Sequence, residues 1–137
     1  MNPIKVGVIG IGEVGSGHAR LYKTFPKKAE LVAICDPDEA RVRPMAEEWG
    51  IAYYAKIEEF LATDMEAVSI ASPQKYHRDA AVATAEAGKH ILLEKPMAMT
   101  VHESDQIIEA CAKANVKLML GFTHRFHGEL RRAEEVI

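Results

Sequence analysis

The stretch that decides the fold is Ile4-Lys5-Val6-Gly7-Val8-Ile9-Gly10-Ile11-Gly12-Glu13-Val14-Gly15. Its first half is β-branched, apolar and runs into glycines, the pattern of a buried strand. Its second half is a GxGxxG turn, followed at roughly helical spacing by Val14, Ala19, Leu21, Tyr22 and Phe25. A lone GxGxxG is a weak signal, because glycines cluster in many turns that bind nothing. Here a strand precedes it, a helix opens inside it, and Asp36 stands about 20 residues beyond the last glycine, at the end of the next strand. In that context Gly10 makes the tight turn, Gly12 lets a pyrophosphate approach the backbone, and Gly15 brings helix close to strand. The helix N-terminus adds free N–H groups and a partial positive charge suited to phosphates. Ile11, Glu13 and Val14, between the glycines, belong to the same cofactor-binding turn.

Working outward, short apolar runs alternate with longer amphipathic ones. Strands are expected at 4–9, 31–35, 52–54, 67–71, 91–93 and 117–121, and helices at 13–25, 38–49, 57–61, 75–87, 100–115 and 128–137. Pro44 predicts a kink or a late start in the second helix. Thr100-Val101-His102-Glu103 has the form of a capping box. Strict alternation of strand and helix requires a parallel sheet, since each parallel strand needs a crossover. The expected fold is α/β, a doubly wound Rossmann sheet of strand order 3-2-1-4-5-6.

In such sheets ligands bind outside the carboxyl ends of the strands, where strand order reverses. Several candidate residues fall on that rim. Asp36 can accept hydrogen bonds from both adenosine ribose hydroxyls and repels a 2′-phosphate, favouring NAD over NADP. Arg41 lies just beyond and can pair with a phosphate, so the preference is not absolute. The plain alternative is that Asp36, ahead of Pro37, caps the next helix. Ala71-Ser72-Pro73 stops the fourth strand and shapes the loop beside the glycine turn. His77 follows it and, with Ala71, Ser72 and Pro73, is expected among the cofactor-binding residues, although a histidine there is more often structural than catalytic. Glu94-Lys95-Pro96 follows the fifth strand. A lysine there, beside a cationic nicotinamide ring, suits proton transfer, and Lys95-Pro96 is a candidate cis peptide. Arg125, after the sixth strand, is placed to bind an anion or hydroxyl. His124 and His127 have no carboxylate or cysteine at ligand spacing, so no metal is expected.

The 137 residues correspond in size to one domain, with a net charge of −3 and 48 % apolar residues. Mild acidity argues against nucleic acid as a partner. No run reaches the roughly 18 apolar residues of a membrane span, and no signal peptide is visible. Cys35 and Cys111 are the only cysteines. They make no disulfide framework and read as core, which points to a reduced, cytoplasmic setting.

Gly10–His18, Asp36-Pro37-Asp38, Ala71–His77, Ala87–Pro96 and Gly121–Phe126 together resemble, in order, the N-terminal domain of the Gfo/Idh/MocA oxidoreductases. The Gly-Lys-His…Glu-Lys-Pro segment, Gly88 to Pro96, is the most specific part. The resemblance implies an NAD- or NADP-binding Rossmann domain of an enzyme that oxidises a secondary hydroxyl of a sugar, polyol or related metabolite. It implies that Lys95 is the active-site lysine, that Glu94 lies near the nicotinamide ribose, and that Arg125 lies on the substrate side. It further implies a second α/β domain that supplies an Asp/His pair, most of the substrate pocket and a homo-oligomer interface. The expected division is a dinucleotide-binding domain over 1–122 and, over 123–137, the start of a connection to that second domain. The chain alone is then expected to bind NAD and to turn over little. Two other readings are a non-enzymatic dinucleotide sensor or interaction module, which would not need Lys95, and a reductase of another Rossmann family, against which the Pro73…His77 and Glu94-Lys95-Pro96 pattern argues.

Overall fold

The computed structural model describes residues 2–136. Six parallel strands form one sheet: β1 (Ile4–Ile9), β2 (Ala29–Cys35), β3 (Ala52–Tyr54), β4 (Ala67–Ile70), β5 (His90–Leu93) and β6 (Leu118–Leu120). Their order across the sheet is β3-β2-β1-β4-β5-β6, so the direction of winding reverses between β1 and β4. This is the expected doubly wound sheet, and the reversal opens the crevice in which such folds bind ligands.

The helices are α1 (Glu13–Thr24), α2 (Glu39–Trp49), α3 (Ile57–Leu61), α4 (His77–Glu86), α5 (Val101–Ala114) and α6 (Gly128–Val136). One face of the sheet packs Val8, Leu31 and Ile34 against Ala19 of α1 and Val42 and Ala46 of α2. The opposite face packs Ile9, Cys35, Val68 and Ile70 against Phe60 of α3, Ala80, Ala81 and Ala85 of α4, and Ile107 and Cys111 of α5. Fully burying each large aliphatic side chain is worth roughly 1.5–3 kcal/mol. The alanines of α4 keep that helix close enough to the sheet for α5 to pack beside it.

Two local features set this register. Val6 pairs with Leu31 but Gly7 pairs with Ala33, so β2 carries an extra residue at that point. The bulge turns Leu31 and Ile34 to the same face despite their odd spacing. Gly7 lacks a side chain because a Cβ there would stand 2.4 Å from the Phe60 ring, which leaves α3 room to sit on β1.

Differences from the sequence reading are local. α2 does not start late: it begins at Glu39 and runs through Pro44. The proline forfeits one intrahelical bond, while the Asp38 cap and the buried Val42 and Ala46 hold the turns on either side. That cap is made by Asp38, whose Oδ1 accepts from Arg41 N at 3.3 Å, and not by Asp36. The expected helix over 75–87 opens as a 3₁₀ turn, Gln74–Tyr76, before α4 begins at His77. α5 starts with the expected capping box, Glu103 N donating to Thr100 Oγ1 and Thr100 N to Glu103 Oε2, each at 3.1 Å. The last expected helical residue, Ile137, lies outside the described residues. Among those residues no helix is long and apolar enough to cross a membrane.

Candidate functional site

The glycine turn lies where β1 feeds α1, at the reversal of the sheet. Gly10 has φ +84°, and a Cβ there would stand 2.4 Å from Ser72 N. Only glycine combines that left-handed backbone with so close an approach by the neighbouring loop. A Cβ on Gly15 would stand 1.8 Å from the Gly10 carbonyl oxygen, so helix and strand touch here through backbone. Gly12 differs from both: a Cβ on it would meet nothing within 4 Å. The fold has no internal use for a bare glycine at that point, whereas an approaching phosphate would. Gly12 is also the N-cap of α1 and offers no side chain to the first amides of the helix, which leaves those donors for an anion.

Asp36 closes the turn from the β2 side. The residue is buried, 7 % exposed, and its carboxylate accepts from Ile11 N at 2.8 Å and Asp38 N at 2.9 Å. The Arg41 guanidinium is half exposed and reaches Asp38 at 3.1 Å and Asp36 at 3.8 Å. Between this corner and α4 lies a cavity of about 570 Å³, lined among others by Gly10, Asp36, Arg41, Ser72, Pro73 and Tyr76. That volume is within the usual range for small-molecule sites. The Ser72 hydroxyl is buried without a hydrogen-bond partner. A polar group buried in this way is stabilised once a ligand supplies a partner. The bare Gly12, the uncapped amides of α1, the Asp36 carboxylate and the orphaned Ser72 hydroxyl fit a dinucleotide. Cys35 lines the same cavity, but burial and the Asp36 charge push its thiol up to about 12, so it stays protonated.

His77 is placed differently. It is buried, with Nδ1 2.9 Å from the Pro96 carbonyl and Nε2 2.8 Å from the Ser72 carbonyl. A neutral imidazole can donate to only one of these at a time, and neither nitrogen is left for a cofactor. The expectation that His77 itself touches the cofactor gives way to a structural role: it ties the Ser72-Pro73 loop to the Lys95-Pro96 loop. Ala71 is part of the same support, since its N–H donates to the Ile9 carbonyl at 2.8 Å.

On the β5 side, Lys95 is exposed and Lys95-Pro96 is cis. The Glu94 side chain is only 14 % exposed. Its Oε2 accepts from Lys95 N at 3.1 Å, and Oε1 lies 3.3 Å from His18 Nε2. The other ring nitrogen of His18 is 2.8 Å from Ser69 Oγ. Gly121 leaves room for this carboxylate, because a Cβ there would stand 2.9 Å from Glu94 Oε1. Ser69 did not stand out in the sequence, and His18 entered only as the last residue of the Gly10–His18 stretch, with no role of its own. The available signal was the hydroxyl of Ser69 inside the apolar strand Ala67-Val68-Ser69-Ile70, which once buried has to find a partner. Arg125 lies in a 3₁₀ turn, Thr123–Phe126, with its guanidinium 5.7 Å from the centre of the Phe122 ring.

The sequence model of an oxidoreductase family with an NAD-binding Rossmann fold matches residues 4–122. The chain is 35 % identical over 136 residues to a myo-inositol 2-dehydrogenase of Thermotoga maritima, covering 98 % of this chain and 40 % of that protein. It is 39 % identical over 133 residues to a D-xylose 1-dehydrogenase (NADP(+)) of Haloferax volcanii, covering 96 % of this chain and 41 % of that one. Among solved structures, a scyllo-inositol dehydrogenase of Lactobacillus casei with bound NAD(H) and scyllo-inositol superposes with a TM-score of 0.91 at 28 % identity, covering 98 % of this chain and 40 % of that one. The chain thus spans about two fifths of the length of the relatives it matches.

Proposed function

The chain belongs to this oxidoreductase family with the NAD-binding Rossmann fold, and from that premise we propose that it is the cofactor-binding part of an NAD-dependent enzyme oxidising a secondary hydroxyl of a sugar, polyol or related metabolite. The observation that carries the proposal is the convergence on one rim of the Gly10–Gly15 turn, the buried Asp36 carboxylate and the Glu94–Lys95 pair. A pyrophosphate at the turn sends one half of a dinucleotide toward Asp36 and the other toward Glu94 and Lys95. When bound, the nicotinamide supplies the hydride acceptor. The residues of this chain orient it and move the proton.

In this reading Gly10, Ile11, Gly12, Glu13, Val14 and Gly15 hold the pyrophosphate. Asp36 takes the adenosine ribose hydroxyls, while Ser72 and Pro73 wall the adenosine side. Lys95, exposed at the rim, contacts the reacting hydroxyl and assists the transfer of its proton, help that is typically worth about 10²–10⁴-fold in rate. Arg125 serves the substrate. Residues 1–122 form the dinucleotide-binding domain and 123–137 the start of a connection to the substrate-binding part, through which the whole protein forms its homo-oligomer. The setting is cytoplasmic, which suits the free thiols Cys35 and Cys111.

For the choice of cofactor we propose NAD over NADP. The support is Asp36: a 2′-phosphate would face a buried carboxylate already committed to two backbone amides. Arg41 moderates the preference, since it could leave Asp38 for a phosphate. Calorimetric titration of NADH and NADPH into the chain tests this. Tighter NADH binding is expected, and equal or tighter NADPH binding would overturn it.

A further inference from the structure

On the β5 side of the glycine turn a connected set of polar side chains surrounds Glu94. His18 lies on α1, Ser69 in β4 and Glu94 at the end of β5. The His18 ring bridges the other two, with Nδ1 2.8 Å from Ser69 Oγ and Nε2 3.3 Å from Glu94 Oε1. Ser69 is fully buried, and the side chains of His18 and Glu94 are only 20 % and 14 % exposed. Tyr22, one turn along α1, is partly buried, and that burial pushes its phenol pKa up, an effect that Ser69 partly opposes.

The chemistry of the three groups orders the ring. An ionised carboxylate only accepts, so the nitrogen facing Glu94 carries a proton. Ser69 can either donate or accept, so it satisfies Nδ1 whichever form the ring takes. The Glu94 carboxylate is thereby held from two directions, by His18 on Oε1 and by Lys95 N on Oε2, while Gly121 leaves the space it occupies. The backbone of Lys95 therefore hangs from a carboxylate that α1 steadies through His18. α1 is also the helix whose N-terminus faces the pyrophosphate, so one element sets both the phosphate end and the β5 corner.

We propose that His18 is a positioning residue for the Glu94–Lys95 corner: anchored by Ser69, its imidazole fixes the Glu94 carboxylate so that the nicotinamide half of the dinucleotide is bound in one orientation. This rests on the reading of the rim as a dinucleotide site, with Glu94 and Lys95 on the nicotinamide side. His18 touches neither cofactor nor substrate. Its effect runs through Glu94, and it belongs to the nicotinamide half of the ligand alone.

That selectivity gives the test. NADH and ADP-ribose share the pyrophosphate and the adenosine, and only NADH carries the nicotinamide riboside. Both are titrated by calorimetry into the chain and into its His18→Leu, Glu94→Gln and double variants, with circular dichroism melts alongside. His18→Leu is expected to weaken NADH on the order of tenfold, the scale of a hydrogen bond to a charged group, and to leave ADP-ribose unchanged. The double variant is expected to lose no more than the larger single loss, as required of residues that act as a unit. His18→Gln places an amide N–H near the position of Nε2. It is expected to recover most of the NADH affinity, and it keeps the proposal testable should His18→Leu not fold. Equal losses for the two ligands, no loss for either, or additive losses in the double variant would overturn the proposal and leave the dinucleotide reading standing. An unmutated chain that binds neither ligand would overturn both.

Discussion

The two sides of the glycine turn are built by different means. On the β2 side the carboxylate of Asp36 is held by backbone, the amides of Ile11 and Asp38, beside a walled cavity of about 570 Å³. On the β5 side the carboxylate of Glu94 is held by one backbone amide and by the His18 side chain from another element, and its neighbour Lys95 is exposed. A site made of backbone is rigid once the turn has formed. A site made of side chains from three elements depends on how those elements pack, and it leaves Lys95 exposed. The β2 side therefore suits a fixed, shared part of a ligand, and the β5 side suits a part that has to be reached and exchanged.

The comparison breaks most visibly at Lys95. In a protein of the relatives' full length carrying this chain, Lys95→Ala should lower turnover by about 10²–10⁴-fold and change NADH affinity only a few-fold, as steady-state kinetics beside direct titration would show. Near-normal turnover would make Lys95 a surface residue of the rim. Next in size is Gly15→Val, which forces a Cβ to 1.8 Å from the Gly10 carbonyl oxygen. Urea unfolding should show a loss of about 3 kcal/mol, the upper part of the usual overpacking range, because the backbone on both sides of the turn has to move. Asp36→Ala should cost about 1–3 kcal/mol by stranding the buried amide of Ile11 and the partly buried one of Asp38, and should narrow the preference for NADH over NADPH. If it leaves stability unchanged, the β2 side is not held as described.

The smallest effect is expected far from the turn. Lys5 Nζ pairs with Asp64 Oδ2 at 2.6 Å. Hydrogen bonding and the lysine charge hold the Asp64 carboxyl below its ordinary value, while the aspartate raises the Lys5 ammonium. The aspartate contribution is present above its unfolded pKa and is lost as pH falls through the lower folded value. The lysine contribution is present below its unfolded pKa and is lost as pH rises through the raised one. The Asp64 side chain is exposed and that of Lys5 is half-exposed, so Asp64→Asn should move the neutral-pH melting temperature barely at all. A drop of several degrees would show that the pair is screened less than its exposure implies.

The same contrast explains what could be read from the sequence. The strand order, the turn and Asp36 were legible because they rest on backbone demands, which restrict residue type at fixed spacing: glycine at 10 and 15, with Gly12 completing the spacing, and a carboxylate at the end of the second strand. Glu94-Lys95 was legible by its position after β5 and by family resemblance. The roles of His18 and Ser69 were not, because a histidine and a serine at unrelated positions meet only after α1 has packed across β4. Gly7 and Gly121 stayed silent for the same reason. Each is bare for a partner distant in sequence, the Phe60 ring in one case and the Glu94 carboxylate in the other. The role of Asp38 as helix cap was hidden by Asp36, an equally suitable residue two positions earlier.

The central claim is that the turn is a dinucleotide site, and Gly12 tests it most directly, since a Cβ there meets nothing in the protein itself. Gly12→Val and the unmutated chain are compared by thermal melting and by calorimetric titration with NADH. The account predicts melting temperatures that agree closely, one NADH bound per unmutated chain, and no measurable binding by the variant. Unchanged NADH affinity in a folded Gly12→Val chain would contradict it and reduce the glycine motif to a turn between a strand and a helix.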